Sequence, residues 1–585
     1  MRGVRFSVSV SLAFLGMLGT QSIGCDDGAA TKPDSIGGDT GISIESDTGP
    51  APGFTEVFSP GVDPATAPKL SPGAVLLRLS LDLRGVRPTP EEYAAVEADP
   101  ETAIATLRES FLKDPRFASR ARDLYANVTR TRVEDFPISA EMLGVDPEEQ
   151  GQLFASIGEE PLMMLARIVE EDRPLTELVT ADWTMADERL ADIFPIAWVS
   201  SAGGNAEGWR VARYTDGRPA AGWLSTNALW WRYLSDGVNY GRGRANAVAR
   251  IFLCADFLDR PVDFPRDIDL TDEEGIREAV RENDGCIGCH AGLDPLASYL
   301  AGFQYTDKTA SEMVRYHPER ERQWVGMTEL PPAFYGRPGF TLSDLGRQLA
   351  ADPRFVECAV ERGFELIMRR APDKRDPLVL DQLTRVREAF LAGKLTFRAL
   401  VRAIVSDPRY ALAEPAEPAR VVPPEMWSDV LQDLTGFRFT SGGVDLLATD
   451  FTGLRTLAGG GDGRAGADPA KTPTATMALV WERTAEAAAL YAVENAPRPP
   501  DKHALFTEVA PDETPDGPAV DDPAMRAQAA FLHHRLFGTK VALDGLEVRE
   551  TLRLWDGAFA VEQSAGRAWA AVLTALLRDP EMAFY

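Results

Sequence analysis

Cysteine and histidine are scarce in this chain, with five of each among 585 residues. So few ligands leave little room for several metal centres or for a framework of many disulfides. The nucleophile pattern G-x-S-x-G is absent, so a hydrolase triad has little support. Basic residues are outnumbered, with 61 Lys and Arg against 89 Asp and Glu. Such an acidic chain is a poor match for nucleic acid or an anionic lipid surface as its main partner.

Long apolar runs are missing beyond the N-terminus, which argues against any later membrane-spanning helix. A positively charged start precedes an apolar stretch at about residues 6–19, and small residues then lead to Cys25. This order is typical of a secretory signal. We predict a signal peptide over residues 1–24 and lipidation of Cys25, as in bacterial lipoproteins. Plain secretion with cleavage nearby is the alternative.

Strand signals are also few, because no Asn-Gly hairpin with alternating flanks occurs. Residues 25–72 are rich in Gly, Pro, Ser, Thr and Asp and predict a disordered tether. The rest predicts a mainly α, multidomain protein with few or no strands. Thr89 and Glu92 have capping-box spacing, which Thr271 and Glu274 repeat.

Asp-Pro pairs recur where apolar helical segments end. Aspartate caps a helix and proline occupies its first turn, so each pair predicts a helix–corner–helix unit. The pairs begin at Asp114, Asp352, Asp407 and Asp579. The glycine-rich stretch at residues 459–468 lacks the ligand spacing of an EF-hand and predicts a flexible loop.

One motif carries recognisable chemistry: Cys286-Ile287-Gly288-Cys289-His290. In C-x-x-C-H the two thiols attach to haem vinyl groups and the histidine supplies an axial nitrogen to the iron. Half of a zinc site would need a second Cys/His pair at zinc-like spacing, and a redox dithiol usually accompanies a βαβ pattern; neither occurs here. The sequence predicts one covalent haem c, bound through Cys286, Cys289 and His290.

The second axial ligand has several candidates. Met327 lies in a loop-like segment just before Pro331 and Pro332, and a loop methionine is a common sixth ligand in small cytochromes. Met313, His317 and an iron-bound water are alternatives, and ordinary packing is the simplest role for Met327.

Cysteine counting leaves one further pair. With Cys25 assigned to lipid and two cysteines to haem, only Cys254 and Cys358 remain. An exported protein permits a disulfide between them, and two buried free thiols are the alternative.

Composition and motif positions divide the folded part into three. We predict an N-terminal helical domain over residues 73–215, a haem-binding helical domain over 216–415 and a C-terminal helical domain over 416–585. The last boundary lies in a cluster of prolines.

Several segments resemble planctomycete-type cytochrome-c-like envelope proteins, which combine domains of unknown function with a C-x-x-C-H haem module. The similarity covers roughly residues 74–412 and is most specific around the motif. It is carried by residues 78–89 (RLSLDLRGVRPT), 181–191 (ADWTMADERLA), 252–254 (FLC), 289–297 (CHAGLDPLA) and 355–358 (FVEC). The resemblance implies a helical protein with one cytochrome-c-like module, and it implies no defined molecular role.

These observations favour single-electron transfer by a monohaem protein anchored by lipid in the bacterial cell envelope, facing the periplasm or the exterior. Its redox partner would be a protein, and a basic one would be attracted to this acidic chain. A haem enzyme, peroxidase-like or acting in oxidative polymer breakdown, is the first alternative. A secreted helical binding scaffold is the second.

Overall fold

The computed structural model describes residues 63–199, 203–205, 207–235, 239–259, 271–413, 419–464, 466–496 and 505–585. The predicted signal peptide, Cys25 and most of the predicted tether lie outside them. The last tether residues belong to the fold, because the backbone N–H of Leu70 donates to the carbonyl of Ala411 at 2.9 Å.

The prediction of a mainly α protein is confirmed, since the described residues contain 23 α-helices and only seven short strands. The helices of the first half are α1 (Pro72–Arg84), α2 (Pro90–Ala98), α3 (Pro100–Phe111), α4 (Arg116–Thr129), α5 (Gln150–Glu170), α6 (Glu177–Thr180), α7 (Glu188–Ile193), α8 (Asn227–Arg232), α9 (Arg242–Leu253), α10 (Glu273–Glu282), α11 (Asp284–Ser298) and α12 (Ala310–Met313). Those of the second half are α13 (Leu342–Ala350), α14 (Pro353–Met368), α15 (Pro377–Ala392), α16 (Phe397–Ser406), α17 (Pro424–Thr435), α18 (Leu454–Leu457), α19 (Ala475–Asn495), α20 (Pro523–Phe537), α21 (Leu546–Glu562), α22 (Ala565–Leu577) and α23 (Pro580–Ala583).

The strands form three small antiparallel sheets. β1 (Thr184–Ala186), β2 (Ile196–Trp198) and β3 (Arg210–Tyr214) make one sheet in the order β1-β3-β2. The two hairpins are β4 (Ala333–Phe334) with β5 (Arg337–Pro338), and β6 (Thr440–Ser441) with β7 (Val444–Asp445). Single 3-10 turns occur at Glu141–Leu143, Pro147–Glu149, Gly222–Ser225, Phe257–Asp259, Ala301–Phe303, Pro318–Arg320, Gln323–Gly326, Pro408–Ala411 and Ala519–Asp521.

The Asp-Pro corners form as predicted. In each, the aspartate side chain accepts the backbone N–H two residues later, at 2.8–3.1 Å; the four are Asp114, Asp352, Asp407 and Asp579. These bonds satisfy N–H groups that have no partner within the new helix. The corners therefore have a structural role at the start of the following helix.

Helix capping differs from the prediction at one of two sites. Thr89 and Glu92 form the predicted capping box at the start of α2. At α10 the N-cap residue is Asp272, whose side chain accepts the N–H of Glu274. A carboxylate adjacent to the helix start is as good a cap as threonine, and here it is the residue that binds the first turn.

The glycine-rich segment at 459–468, for which the sequence predicts a flexible loop, is hydrogen-bonded and buried in its first part. The N–H of Gly460 donates to the carbonyl of Arg455 at 2.8 Å. A Cβ on Gly463 would lie 2.6 Å from the carbonyl oxygen of Arg132. Glycine is needed here because another part of the backbone approaches too closely for a side chain.

Buried apolar side chains of the described residues form two cores, and both lie within one compact unit. The first core draws on residues 76–410, and the second on residues 422–582 together with Leu81 of α1. The same helix thus contributes to both cores. The predicted domain boundaries at 215 and 415 stay predictions.

A buried ionic junction lies where α1 meets the C-terminal end of the chain. Asp82 is 2% exposed and accepts hydrogen bonds from Tyr410 and Tyr585, each at 2.8 Å, and from Arg420. Arg78, also 2% exposed, donates to the carbonyl of Tyr410 at 2.8 Å. This junction ties α1, the end of the first core and the last residue of the chain together.

Candidate haem site

The C-x-x-C-H motif lies in the first half of α11. Asn283 caps this helix, and its side chain accepts the N–H groups of Gly285 at 3.0 Å and Cys286 at 3.4 Å. The cap fixes the helix start directly before the first cysteine of the motif. Residues three and four apart share a helix face, so Cys286, Cys289 and His290 lie together on one side of α11.

The three side chains are accessible for covalent and axial bonds. Cys286 and Cys289 are free thiols and partly buried. The side chain of His290 is 24% exposed. These donors fit a haem c held by two thioether bonds and one imidazole.

His290 is oriented by an aspartate one turn further along the helix. Its Nδ1 lies 2.9 Å from Oδ1 of Asp294. Burial opposes ionisation of Asp294, which is 2% exposed, but hydrogen bonds and charge from Arg242 and His290 outweigh it and hold the pKa of this carboxyl below its usual range. An ionised Asp294 would accept a proton from Nδ1 of His290, which would leave Nε2 to bind a metal.

Arg242 of α9 completes this arrangement. Its Nε and Nη2 donate to the two carboxylate oxygens of Asp294 at 2.7 and 2.8 Å, in the bidentate geometry of the strongest ion pairs. The hydrogen bonds that link Arg242 to Asp294 and Asp294 to Nδ1 of His290 orient the imidazole ring.

The sequence did not predict this role for Asp294. Asp294 and Pro295 lie inside α11, which continues to Ser298. The spacing of four between His290 and Asp294 is the signal that would have placed them on one face. No local signal indicates Arg242, which is 52 residues from Asp294.

The segment carrying Met327 is attached to the motif helix. The hydroxyl of Ser298 at the end of α11 lies 2.6 Å from Thr328 Oγ1 and donates to the carbonyl of Leu330 at 2.8 Å. Arg281 of α10 forms an ion pair of 2.6 Å with Glu329. Met327 is half-buried at the end of the turn Gln323–Gly326. It is thus held beside α10 and α11.

The other two predicted side-chain ligands are less suited to bind iron. His317 is 7% exposed, and both ring nitrogens are engaged: Nδ1 with Glu319 at 3.1 Å and Nε2 with the carbonyl of Glu312 at 2.9 Å. Met313 is 1% exposed and packs in the first core. Binding by either residue would break contacts that the fold already uses.

Four exposed apolar side chains lie in segments close to the motif helix. They belong to segments that contact α10 or α11, and they are Leu258, Val325, Leu330 and Tyr335. The ring of Tyr335 and that of Phe257, next to Leu258, lie within 4 Å of a Cβ built at Gly292. Exposed apolar side chains of this kind suit contact with haem, which is a large apolar group.

The predicted Cys254–Cys358 pair is bonded in the structure. The disulfide joins the end of α9 to α14, with a Cα–Cα distance of 5.1 Å. Because α9 also carries Arg242, the bond holds the helix that supports Asp294 and His290.

Two further findings concern the described residues alone. They contain no group of three or more His, Cys, Asp or Glu side chains that could hold a metal ion. None of their helices is both long and apolar enough to cross a membrane.

Comparison with known proteins gives a family match in the N-terminal part of the chain. Residues 72–196 match the profile of a family described as PSD4, protein of unknown function (DUF1592). This domain is found in planctomycete-type cytochrome-c-like proteins. No curated protein and no solved structure matches the chain. The match ends before the motif, so the motif's assignment depends on its own residues.

Proposed function

We propose that this protein is a monohaem c-type electron-transfer protein of the bacterial cell envelope. The observation that carries the proposal is the grouping of Cys286, Cys289 and His290 on one accessible helix face, with His290 oriented through Nδ1 by Asp294. A haem bound there supplies a one-electron ferric/ferrous couple. The protein orients the axial imidazole, sets its basicity and provides the apolar surroundings.

Access for a redox partner follows from the same surface. The motif side chains are only partly buried and apolar residues around them are exposed, so a partner protein can approach closely. The chain carries a formal net charge of −28 at pH 7, which would attract a basic partner over a long range. Export and lipidation of Cys25 belong to this proposal, since c-type haem would be attached outside the cytoplasm.

The distal ligand is tested with Met327→Ala. If Met327 is the sixth ligand, the wild-type protein has a six-coordinate, low-spin spectrum, and the variant keeps its haem but changes to a high-spin or water-ligated spectrum. Visible spectra of oxidised and reduced protein measure this. Met142→Ala is the matched control, because Met142 is 46% exposed and belongs to another turn. Identical low-spin spectra for both variants would remove Met327 from the site.

The role of Asp294 is tested by the reduction potential. The oxidised iron carries one more positive charge, which the carboxylate stabilises through the imidazole. Asp294→Asn keeps the shape and removes the charge, so we expect a more positive potential in spectroelectrochemical titration. Asp284→Asn removes an equal charge from an exposed site on the same helix. Equal shifts in the two variants would show that Asp294 acts only as a distant charge.

A haem enzyme is the second candidate, and the carboxylate on His290 is the observation that favours it. A more basic axial imidazole stabilises higher oxidation states of iron, which peroxidase chemistry uses. That function needs an open or displaceable distal position. A high-spin wild-type spectrum that shifts with cyanide or peroxide would favour the enzyme, whereas an unreactive low-spin spectrum favours electron transfer.

A further inference from the structure

The Cys254–Cys358 disulfide is accessible from one of its two ends. Cys254 is exposed, whereas Cys358 of α14 is only 3% exposed. Arg362, one turn further along α14, places Nη2 3.8 Å from the sulfur of Cys254. A thiolate can attack an accessible disulfide sulfur, and an arginine beside that sulfur favours the thiolate that reduction produces. An external dithiol can therefore reach this bond.

The backbone at Cys254 is held in an unfavourable conformation. Cys254 ends α9 with a φ of 48°, in the left-handed region that residues with a side chain rarely adopt. Such a conformation persists only where the surrounding contacts hold it in place. The bond to α14 is one of these contacts, so breaking it allows the end of α9 and the residues after it to relax.

The residues that follow Cys254 contact the motif helix. The side-chain amide of Asn246 holds them against α9, because its Nδ2 donates to Asp256 at 2.8 Å and its Oδ1 accepts the N–H of Phe257 at 2.9 Å. The ring of Phe257, which is 5% exposed, lies 3.6 Å from a Cβ built at Gly292 of α11. Phe257 is only three positions after Cys254. The disulfide is thus close in sequence to a side chain that packs on α11.

α9 also supports the motif helix from its other end. There Arg242 donates to Asp294, and Asp294 contacts Nδ1 of His290. Phe257 and Arg242 therefore contact α11 at two nearby positions, Gly292 and Asp294, from opposite ends of α9. Because the disulfide attaches one end of α9 to α14, it helps to hold both contacts in place.

We propose that the Cys254–Cys358 bond is a redox-sensitive control of the haem site. A thiolate of an exported dithiol protein attacks Cys254 Sγ, the S–S bond breaks, and Cys358 leaves as a thiolate that takes up a proton. The second thiol of the donor then displaces Cys254, so the donor leaves as a disulfide and both electrons and both protons pass to the cysteines. Reduction releases the end of α9 from α14 and weakens the contact between Asp294 and His290. The effect on haem rests on the function proposed above.

The reduction potential of the haem tests this control in the full-length protein. It is measured with the disulfide intact and after anaerobic treatment with dithiothreitol, which is then removed, and the free thiols are counted in each sample. We expect two new thiols and a more positive potential, the direction expected for loss of the Asp294 carboxylate. In Asp294→Asn the same treatment should shift the potential less, because the contact that it weakens is already lost.

Two variants separate this effect from other causes. Cys254→Ser/Cys358→Ser should have the potential of the reduced wild-type protein, and dithiothreitol should not change it further. Asp82→Asn weakens the buried ionic junction, where Asp82 contacts Tyr410 and Arg420, and leaves the disulfide intact. Its potential should stay close to that of the oxidised wild-type protein. A shift in Asp82→Asn as large as that on disulfide reduction would show that general destabilisation is the cause.

Amide hydrogen exchange of the same samples reports the change without reference to the haem. We expect α11 to exchange about tenfold faster in the reduced protein and in Cys254→Ser/Cys358→Ser, while α21 in the second core is unchanged. Absence of covalent haem would contradict the proposed function, and exchange would still show whether the disulfide controls α11. A bond that resists dithiothreitol in the folded protein, equal potentials in its two states, or unchanged exchange in α11 would overturn the proposal.

Discussion

Replacing Cys286 and Cys289 together by serine is expected to abolish covalent haem while leaving the helical fold in place. Serine has nearly the shape of cysteine but cannot form a thioether, so both covalent bonds to the porphyrin are lost. The cysteines are only partly buried, and neither takes part in a disulfide. The fold should therefore tolerate the change.

The measurement is a haem stain on a denaturing gel, with circular dichroism as the check on folding. Cells that express a periplasmic haem-maturation system supply the protein. The matched control is Cys254→Ser/Cys358→Ser, which removes the same number of thiols at the disulfide. This control should keep the stain but lose about 2–5 kcal/mol of stability. A stained band from Cys286→Ser/Cys289→Ser would contradict attachment at the motif.

The second large effect is expected at the buried ionic junction. Asp82 is the carboxylate that Arg420, Tyr410 and Tyr585 share, and it is 2% exposed. Asp82→Asn keeps the size of the side chain but leaves the Arg420 charge without its buried counter-charge. Breaking a buried ion pair in this way costs about 3–5 kcal/mol. The urea midpoint of unfolding should fall accordingly.

An exposed ion pair is the control for Asp82. Asp381 pairs with Arg385 on the surface and its side chain is 65% exposed. Asp381→Asn should change the free energy of unfolding by less than about 1 kcal/mol, because solvent screens such pairs. If the two variants unfold at the same urea concentration, the junction does not stabilise the fold as the buried contacts indicate.

Local signals predicted much of the helical architecture. The Asp-Pro corners and the Thr89 capping box formed as expected, because a cap and its helix are only a few residues apart in sequence. The partner of Cys254 was predicted by elimination among the five cysteines. These predictions needed no knowledge of the tertiary fold.

Long-range contacts account for what the sequence did not predict. Glycine at 459–468 looked like a flexible loop, yet Gly463 is required by the close approach of Arg132. Composition alone cannot distinguish a glycine that makes the backbone flexible from one that leaves room for a neighbouring backbone atom. Similarly, Arg242 reaches Asp294 only because α9 packs beside α11. A pattern read along one helix contains no information about a neighbouring helix.

The most direct test of the central claim is the mass of one peptide from the wild-type protein. Trypsin cleaves after Arg281 and Lys308, so residues 282–308 leave as a single peptide that contains the whole motif. After expression with haem maturation, we predict that this peptide carries the mass of one haem and absorbs visible light. A peptide 282–308 recovered at its unmodified mass, with both thiols open to alkylation, would contradict the assignment.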